Sequence, residues 1–191
     1  MSTETRPRGP MLLSIARAAI TAALGGVPKA DEAAPEHAAW LQEPGATFVT
    51  LTRQGQLRGC IGTLEAHRTL LADVKANAVS AALRDPRFAP LTLAELATTR
   101  IEVSLLSAMQ PMPFESEAQA LAQLQPGVDG VLLEFEHFRS TFLPQVWAQL
   151  PTAKAFMARL KQKAGLPPDF WAPRLRLYRY SVHKWQEPER S

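Results

Sequence analysis

The segment from Ala46 to Gly62 constrains this chain more than any other. Thr47-Phe48-Val49-Thr50-Leu51-Thr52 is rich in β-branched residues and alternates, which predicts a strand with one drier face. Arg53-Gln54-Gly55-Gln56 reads as a turn. Leu57-Arg58-Gly59-Cys60-Ile61-Gly62 then reads as the return strand of a hairpin, ending at a second bend that glycine permits. The hexapeptide holds the only cysteine in the chain, bracketed by two glycines, with an arginine two residues before it. Glycine allows positive φ or close approach of another group, so a thiol is held here in a particular backbone setting.

The rest of the chain supplies helices and further strands. Residues 1–9 are polar and predict a disordered tail. Leu12, Ile15, Ala16, Ala19 and Ala23 recur at helical spacing, predicting a helix from Pro10 to Leu24 that Gly25-Gly26 ends. Leu70, Leu71, Val74, Ala78, Ala81 and Ala82 mark a second helix, with Asp73, Lys75 and Asn77 on its outer side. Asp85-Pro86-Arg87-Phe88 breaks it. Thr92 and Glu95 form a capping-box pattern, as do Ser116 and Gln119. Arg100 to Ser107 alternates as a strand. Gly127-Val128-Asp129-Gly130 feeds another through Phe135, and Thr141-Phe142-Leu143 returns beside it. A helix from Thr152 to Ala164 ends at Gly165, and a last strand spans Leu175 to His183. Helices interspersed with two antiparallel hairpins predict an α+β fold, with helices packed on a mixed or mostly antiparallel sheet.

Composition narrows the function classes. The chain has 191 residues, 46% hydrophobic and 20% charged, with a net charge of +3. That is ordinary for a globular protein of one large domain or two small ones. One cysteine permits no internal disulfide, which fits a reducing compartment and a cytoplasmic protein. No apolar run is long enough to span a membrane. Met11 to Leu24 follows Arg6 and Arg8 like the core of a signal peptide, but Arg17 interrupts it, and an amphipathic packing helix is the reading adopted. Arg174, Arg176 and Arg179 form the longest local basic excess, and a strand here puts Arg174, Arg176 and Tyr178 on one face, which fits an exposed strand face. Trp40, Trp147, Trp171 and Trp185 are spread along the chain and form no stacking array, so nucleic-acid binding is not expected.

Several phrases stand in a fixed order: Phe48-Val49-Thr50-Leu51, Leu57-Arg58-Gly59-Cys60-Ile61-Gly62, Asp85-Pro86-Arg87-Phe88 with Leu91-Thr92 and Glu95-Leu96, and Ile101-Glu102-Val103-Ser104. Gly127-Val128-Asp129-Gly130, Leu143-Pro144-Gln145-Val146 and Lys163-Ala164-Gly165-Leu166 follow. Together they resemble the AMMECR-domain family, whose prokaryotic members are called AmmeMemoRadiSam system protein A. The resemblance runs from about Leu12 to Trp185 and implies one AMMECR-like domain over residues 10–188, in two unequal subdomains with a cleft between them. It also implies association with Memo-like and radical-SAM proteins. It implies no settled reaction and no cofactor of the chain's own. Phe138-Arg139-Ser140-Thr141-Phe142 departs from the glycine-bearing, more aliphatic turn common in the family.

Cys60 is the candidate catalytic residue. A free thiol is mostly protonated at neutral pH and needs a cation to favour thiolate. Arg58 alternates with Cys60, so an extended strand places both on one face. The competing reading makes Cys60 a small buried hydrophobe. A thiol enzyme also needs a base, and His67, with Glu65 two residues before it, is the nearest histidine in sequence. Scattered histidines give no metal-ligand spacing. A second candidate is an anion pocket in which N–H groups around Gly59 and Gly62 converge, with Arg58 and Arg87 adding charge. Arg87 also suits pairing with Asp85, Phe88 suits plugging the core, and Gln145, at a helix start, is a further binding candidate whose amide can point into a cleft or bond the local backbone. Two functions follow: a binding or scaffold component, and a thiol-dependent enzyme acting on a small or peptidic substrate.

Overall fold

The computed structural model describes residues 8–29 and 36–188. Most of the expected tail therefore lies outside the described residues, but Arg8 and Gly9 already belong to the first helix. The chain divides into two compact units, residues 1–106 with 183–191, and residues 107–182. Each carries its own four-stranded sheet and its own core, so the α+β class holds with two sheets where the sequence suggested one.

In the first unit, helix α1 (Arg8–Ala23) precedes a hairpin of β1 (Thr47–Arg53) and β2 (Gln56–Gly62). The turn is the two-residue kind expected: Arg53 pairs with Gln56, and Gln54 and Gly55 take φ of 52° and 75°. Helix α2 (Leu70–Leu83), helix α3 (Leu93–Leu96) and β3 (Thr99–Leu106) follow. The Thr92–Glu95 capping box forms as predicted. The sheet order is β2-β1-β3-β8, with β8 (Val182–Gln186) returning from the end of the chain. β1 pairs antiparallel with both β2 and β3. Val49, Leu51, Ile101 and Val103 meet Leu12, Ile15 and Ile20 of α1 and Val74 and Ala78 of α2, making one core.

The second unit contains β4 (Gln110–Pro111), α4 (Glu117–Gln123), β5 (Gly130–Phe135), β6 (Phe138–Phe142), α5 (Ala153–Ala164) and β7 (Arg176–Tyr180). Its sheet order is β4-β7-β5-β6, antiparallel throughout. Phe156, Met157 and Leu160 of α5 pack on Val131, Leu133 and Leu177. Gly165 ends α5 at φ 91°, as its position predicts. Trp147 stacks on Phe156 at 3.9 Å and donates its indole N–H to the Asp129 carbonyl at 2.7 Å. The expected last strand from Leu175 to His183 is in fact two, β7 and β8, in different sheets.

One expectation about a helix face is corrected. Asp73 and Asn77, expected on the outside of α2, are buried. Asp73 accepts from the backbone N–H and hydroxyl of Thr47 at 2.7 Å each, the Thr63 hydroxyl at 2.6 Å and Arg68 Nε at 2.9 Å. Asn77 donates to the Thr47 carbonyl at 2.9 Å. Arg17, which interrupts the apolar run of α1, is only 4% exposed. Its Nε and Nη2 grip Glu187 at 2.6 and 2.5 Å, and it donates to the Thr99 and Leu96 carbonyls at 2.7 and 3.2 Å. Glu187 in turn accepts from the Ile101 N–H at 3.0 Å. No helix among the described residues is long and apolar enough to cross a membrane.

A buried pair broken on one side leaves a charge without a partner, at about 3–5 kcal/mol, whereas replacing both sides by apolar groups costs far less. Glu187→Ala is therefore expected to destabilise the protein by about that amount. Arg17→Met with Glu187→Leu together should cost less than Glu187→Ala alone. Urea unfolding of the three proteins checks the order.

Candidate functional site

The hexapeptide forms most of β2, an edge strand. Its glycines serve close packing. A Cβ on Gly59 would collide with the Ala81 carbonyl oxygen of α2, and one on Gly62 with the Phe48 ring. Neither glycine takes a positive φ. The second bend and the nest of converging N–H groups expected from the two glycines are thus replaced by extended strand. The sequence shows that a glycine is needed, but not whether a turn or a neighbour requires it.

The outward side of Cys60 is sealed by the turn that follows α2. Cys60 donates its N–H to Asp85 Oδ2 at 2.9 Å. Arg87 forks onto the same carboxylate, Nε to Oδ1 at 2.9 Å and Nη2 to Oδ2 at 2.7 Å, and also donates to the Cys60 carbonyl at 3.3 Å. The turn itself closes through Phe88 N–H to the Asp85 carbonyl at 3.1 Å. Asp85 and Arg87 therefore satisfy both backbone groups of one edge residue, as a neighbouring strand would. The Arg87 guanidinium holds the Asp85 carboxyl far below the ordinary carboxylate range, with the N–H groups of Cys60 and Arg87 adding to this and burial opposing it. The expected Asp85–Arg87 pairing is present.

Arg58 behaves differently from the expectation. β2 skips a residue in its pairing with β1: Leu51 faces Gly59 and Thr52 faces Leu57. Arg58 is the extra residue of this bulge, and a bulge re-aims a side chain. Its guanidinium bonds both Glu95 oxygens at 3.3 Å and the Ala89 carbonyl at 2.9 Å. Arg53 reaches the same Glu95 at 3.2 Å. The Thr92 N–H, then Arg58, lower the Glu95 carboxyl below its usual range. The arginine that bonds Cys60 is Arg87, through the carbonyl. Phe88 is only part-buried and lies outside the core. Its ring centroid is 6.0 Å from the Arg58 guanidinium and 5.4 Å from that of Arg87.

The Cys60 thiol is partly exposed and lies 3.3 Å from the Thr50 hydroxyl on the neighbouring strand. Thr50 faces Glu102 on its other side, and Glu102 accepts from Lys184 Nζ of β8 at 3.4 Å. A thiol, a hydroxyl, a carboxylate and an ammonium thus follow one another across the sheet. Thr50, Glu102 and Lys184 were not among the sequence candidates; strand alternation marks Thr50 and Glu102, but nothing local marks Lys184. His67 pairs with Glu65 at 3.5 Å in an exposed position, and no contact joins it to Cys60. No group of three or more potential metal ligands occurs among the described residues. Gln145 is exposed on the short 3-10 segment Pro144–Ala148 of the second unit.

Gly59→Ala is expected to push β2 from α2 and cost about 1–3 kcal/mol, read as a lower midpoint in thermal unfolding. Acid sensitivity follows from Asp85. Its folded pKa is depressed, so its contribution is complete above the unfolded carboxylate range near pH 4 and drains away as pH falls below it. Asp85→Asn should lower stability at neutral pH and flatten the acid limb, checked by urea midpoints between about pH 2 and 7.

The AMMECR1 family profile matches residues 13–185. A protein of Methanothermobacter thermautotrophicus is 40% identical over 142 residues, covering 73% of this chain and 74% of that protein. A protein of Methanocaldococcus jannaschii is 34% identical over 193 residues, covering 99% and 94%. The crystal structure of the uncharacterised protein PH0010 from Pyrococcus horikoshii superposes with a TM-score of 0.78 at 29% identity, covering 95% of this chain and 92% of that one. With the hexapeptide edge strand and its Asp-Pro-Arg seal, these likenesses carry one conclusion: the chain belongs to the AMMECR1 family.

Proposed function

We propose that this protein is a binding or scaffold component that works in the cytoplasm with Memo-like and radical-SAM partners, and that the surface around the hexapeptide strand is what it presents to them. One observation carries the reading. The ionisable groups that flank Cys60 are already committed to the fold: Asp85 and Arg87 to the backbone of Cys60, Arg58 to Glu95 and Ala89. The thiol's hydrogen-bond neighbour is a hydroxyl, which is not a general base, and the Arg87 guanidinium, whose charge interacts with Cys60, is forked onto Asp85. Groups locked in this way give a rigid surface of fixed shape and charge, which suits recognition.

The experiment is co-purification of the tagged full chain with the Memo-like and radical-SAM proteins of the same cell. A stable complex is expected, and Cys60→Ser should leave it intact. Failure to recover either partner across several salt concentrations would sink the scaffold reading. Alkylation of Cys60 against pH tests the competing thiol-enzyme reading. The expected result is slow reaction at neutral pH; rapid reaction there would favour the enzyme instead.

A further inference from the structure

Resting on the scaffold reading above, we infer that Arg87, with Arg58 beside it across the Phe88 ring, is the receptor for a carboxylate side chain on an acidic segment of the protein partner. Arg87 is held in place before any ligand arrives. Asp85 takes its Nε and Nη2, the Cys60 carbonyl takes Nη2 again, and the Phe88 ring lies beside the guanidinium plane's carbon at 5.4 Å. These contacts leave Nη1 without a protein acceptor, on a side chain that is 53% exposed. A guanidinium fixed on one edge and open on the other loses little freedom when it binds an acceptor.

The charge around it selects the occupant. The contacts form a chain of Arg53, Glu95, Arg58, Phe88, Arg87 and Asp85. Three guanidinium groups stand against two carboxylates, an excess of one positive charge. A singly charged carboxylate matches that excess. A doubly charged phosphate would add more negative charge beside Asp85 and Glu95 than the cluster compensates. Arg58 is 16% exposed and holds its place through Glu95 and Ala89, so it contributes field to the site while Arg87 contributes the hydrogen bond.

The second unit provides a control. Arg139 is 45% exposed and paired with Glu134 at 3.1 Å. It resembles Arg87 in exposure and pairing, and a second guanidinium, Arg176, stands 3.6 Å from the same carboxylate, but it belongs to the other unit from the hexapeptide strand. Affinity of the full-length chain for the Memo-like and radical-SAM proteins is to be measured for the wild type, Arg87→Gln and Arg139→Gln, with thermal unfolding run alongside. Loss of a charge-assisted hydrogen bond corresponds to a weakening of roughly tenfold. Arg87→Gln is expected to show it, with a shallower dependence on salt, while Arg139→Gln stays near the wild type. Because Arg87→Gln also removes part of the strand seal, a competition on the unaltered protein stands beside it. A short polyglutamate peptide is expected to displace the partner, and a polyglutamine peptide of the same length to leave it bound. A complex that ignores both the Arg87 substitution and polyglutamate overturns this inference and leaves the scaffold reading standing. The absence of any complex with the wild type overturns both.

Discussion

Three buried carboxylates hold the first sheet to the rest of its unit, and each works the same way. Asp73 accepts from the N–H of Thr47 at the start of β1, Asp85 from that of Cys60 on β2, and Glu187 from that of Ile101 on β3. Each is also gripped by an arginine, Arg68, Arg87 and Arg17 respectively. A carboxylate removed from water is tolerated when an opposite charge and backbone donors replace its hydration. Here the replacement spans different elements, so forming the ion pair and fixing the strand are one event. Apolar packing of α1 and α2 on the sheet is compatible with several small shifts of those elements. The carboxylates, each of which accepts from a specified strand N–H, are compatible with far fewer.

This joinery decides what the hexapeptide can do. Gly59 lets β2 approach the α2 backbone, and the same approach brings the end of α2 to the edge of β2, where Asp85 can reach Cys60. A glycine, a carboxylate, a proline turn and an arginine thus cooperate to seal one residue of an exposed strand. A reactive thiol would need those charges for its own activation. Where they are spent on the backbone, the strand gains definition and the thiol's hydrogen-bond neighbour is the Thr50 hydroxyl. The same expenditure explains how Arg87 comes to point one edge of its guanidinium steadily into solvent: it is immobilised by the seal without being consumed by it.

Much of this was legible in the sequence wherever the interacting residues are close along it. The hairpin turn at Gln54-Gly55, the capping box at Thr92, the glycine stop at Gly165 and the pairing of Asp85 with Arg87 all depend on contacts within a few residues, and all appear as expected. Arg58 was misplaced because alternation assumes an unbroken register, and a single bulge residue leaves no mark in the residue types around it. Asp73 and Asn77 were assigned to solvent by polarity alone. Their partners Thr47 and Thr63 lie on and after strands that α2 meets only in the folded state.

The longest-range features were the least visible, for a physical reason. Arg17 and Glu187 are 170 residues apart, and neither is unusual in its local setting. Likewise the run from Leu175 to His183 holds no glycine or proline to mark the place at Ser181 where the chain changes sheet. β7 buries Leu177 and Tyr180 whereas no residue of β8 is fully buried, and a strand's periodicity reports that it is present but not which neighbours it pairs with. The partner is set by the carboxylate that follows: Glu187 carries the chain onto β3 because the buried Arg17 needs it there. A polar residue just beyond an alternating run therefore carries topological information that the run itself lacks, and it becomes readable only when the opposite buried charge is known.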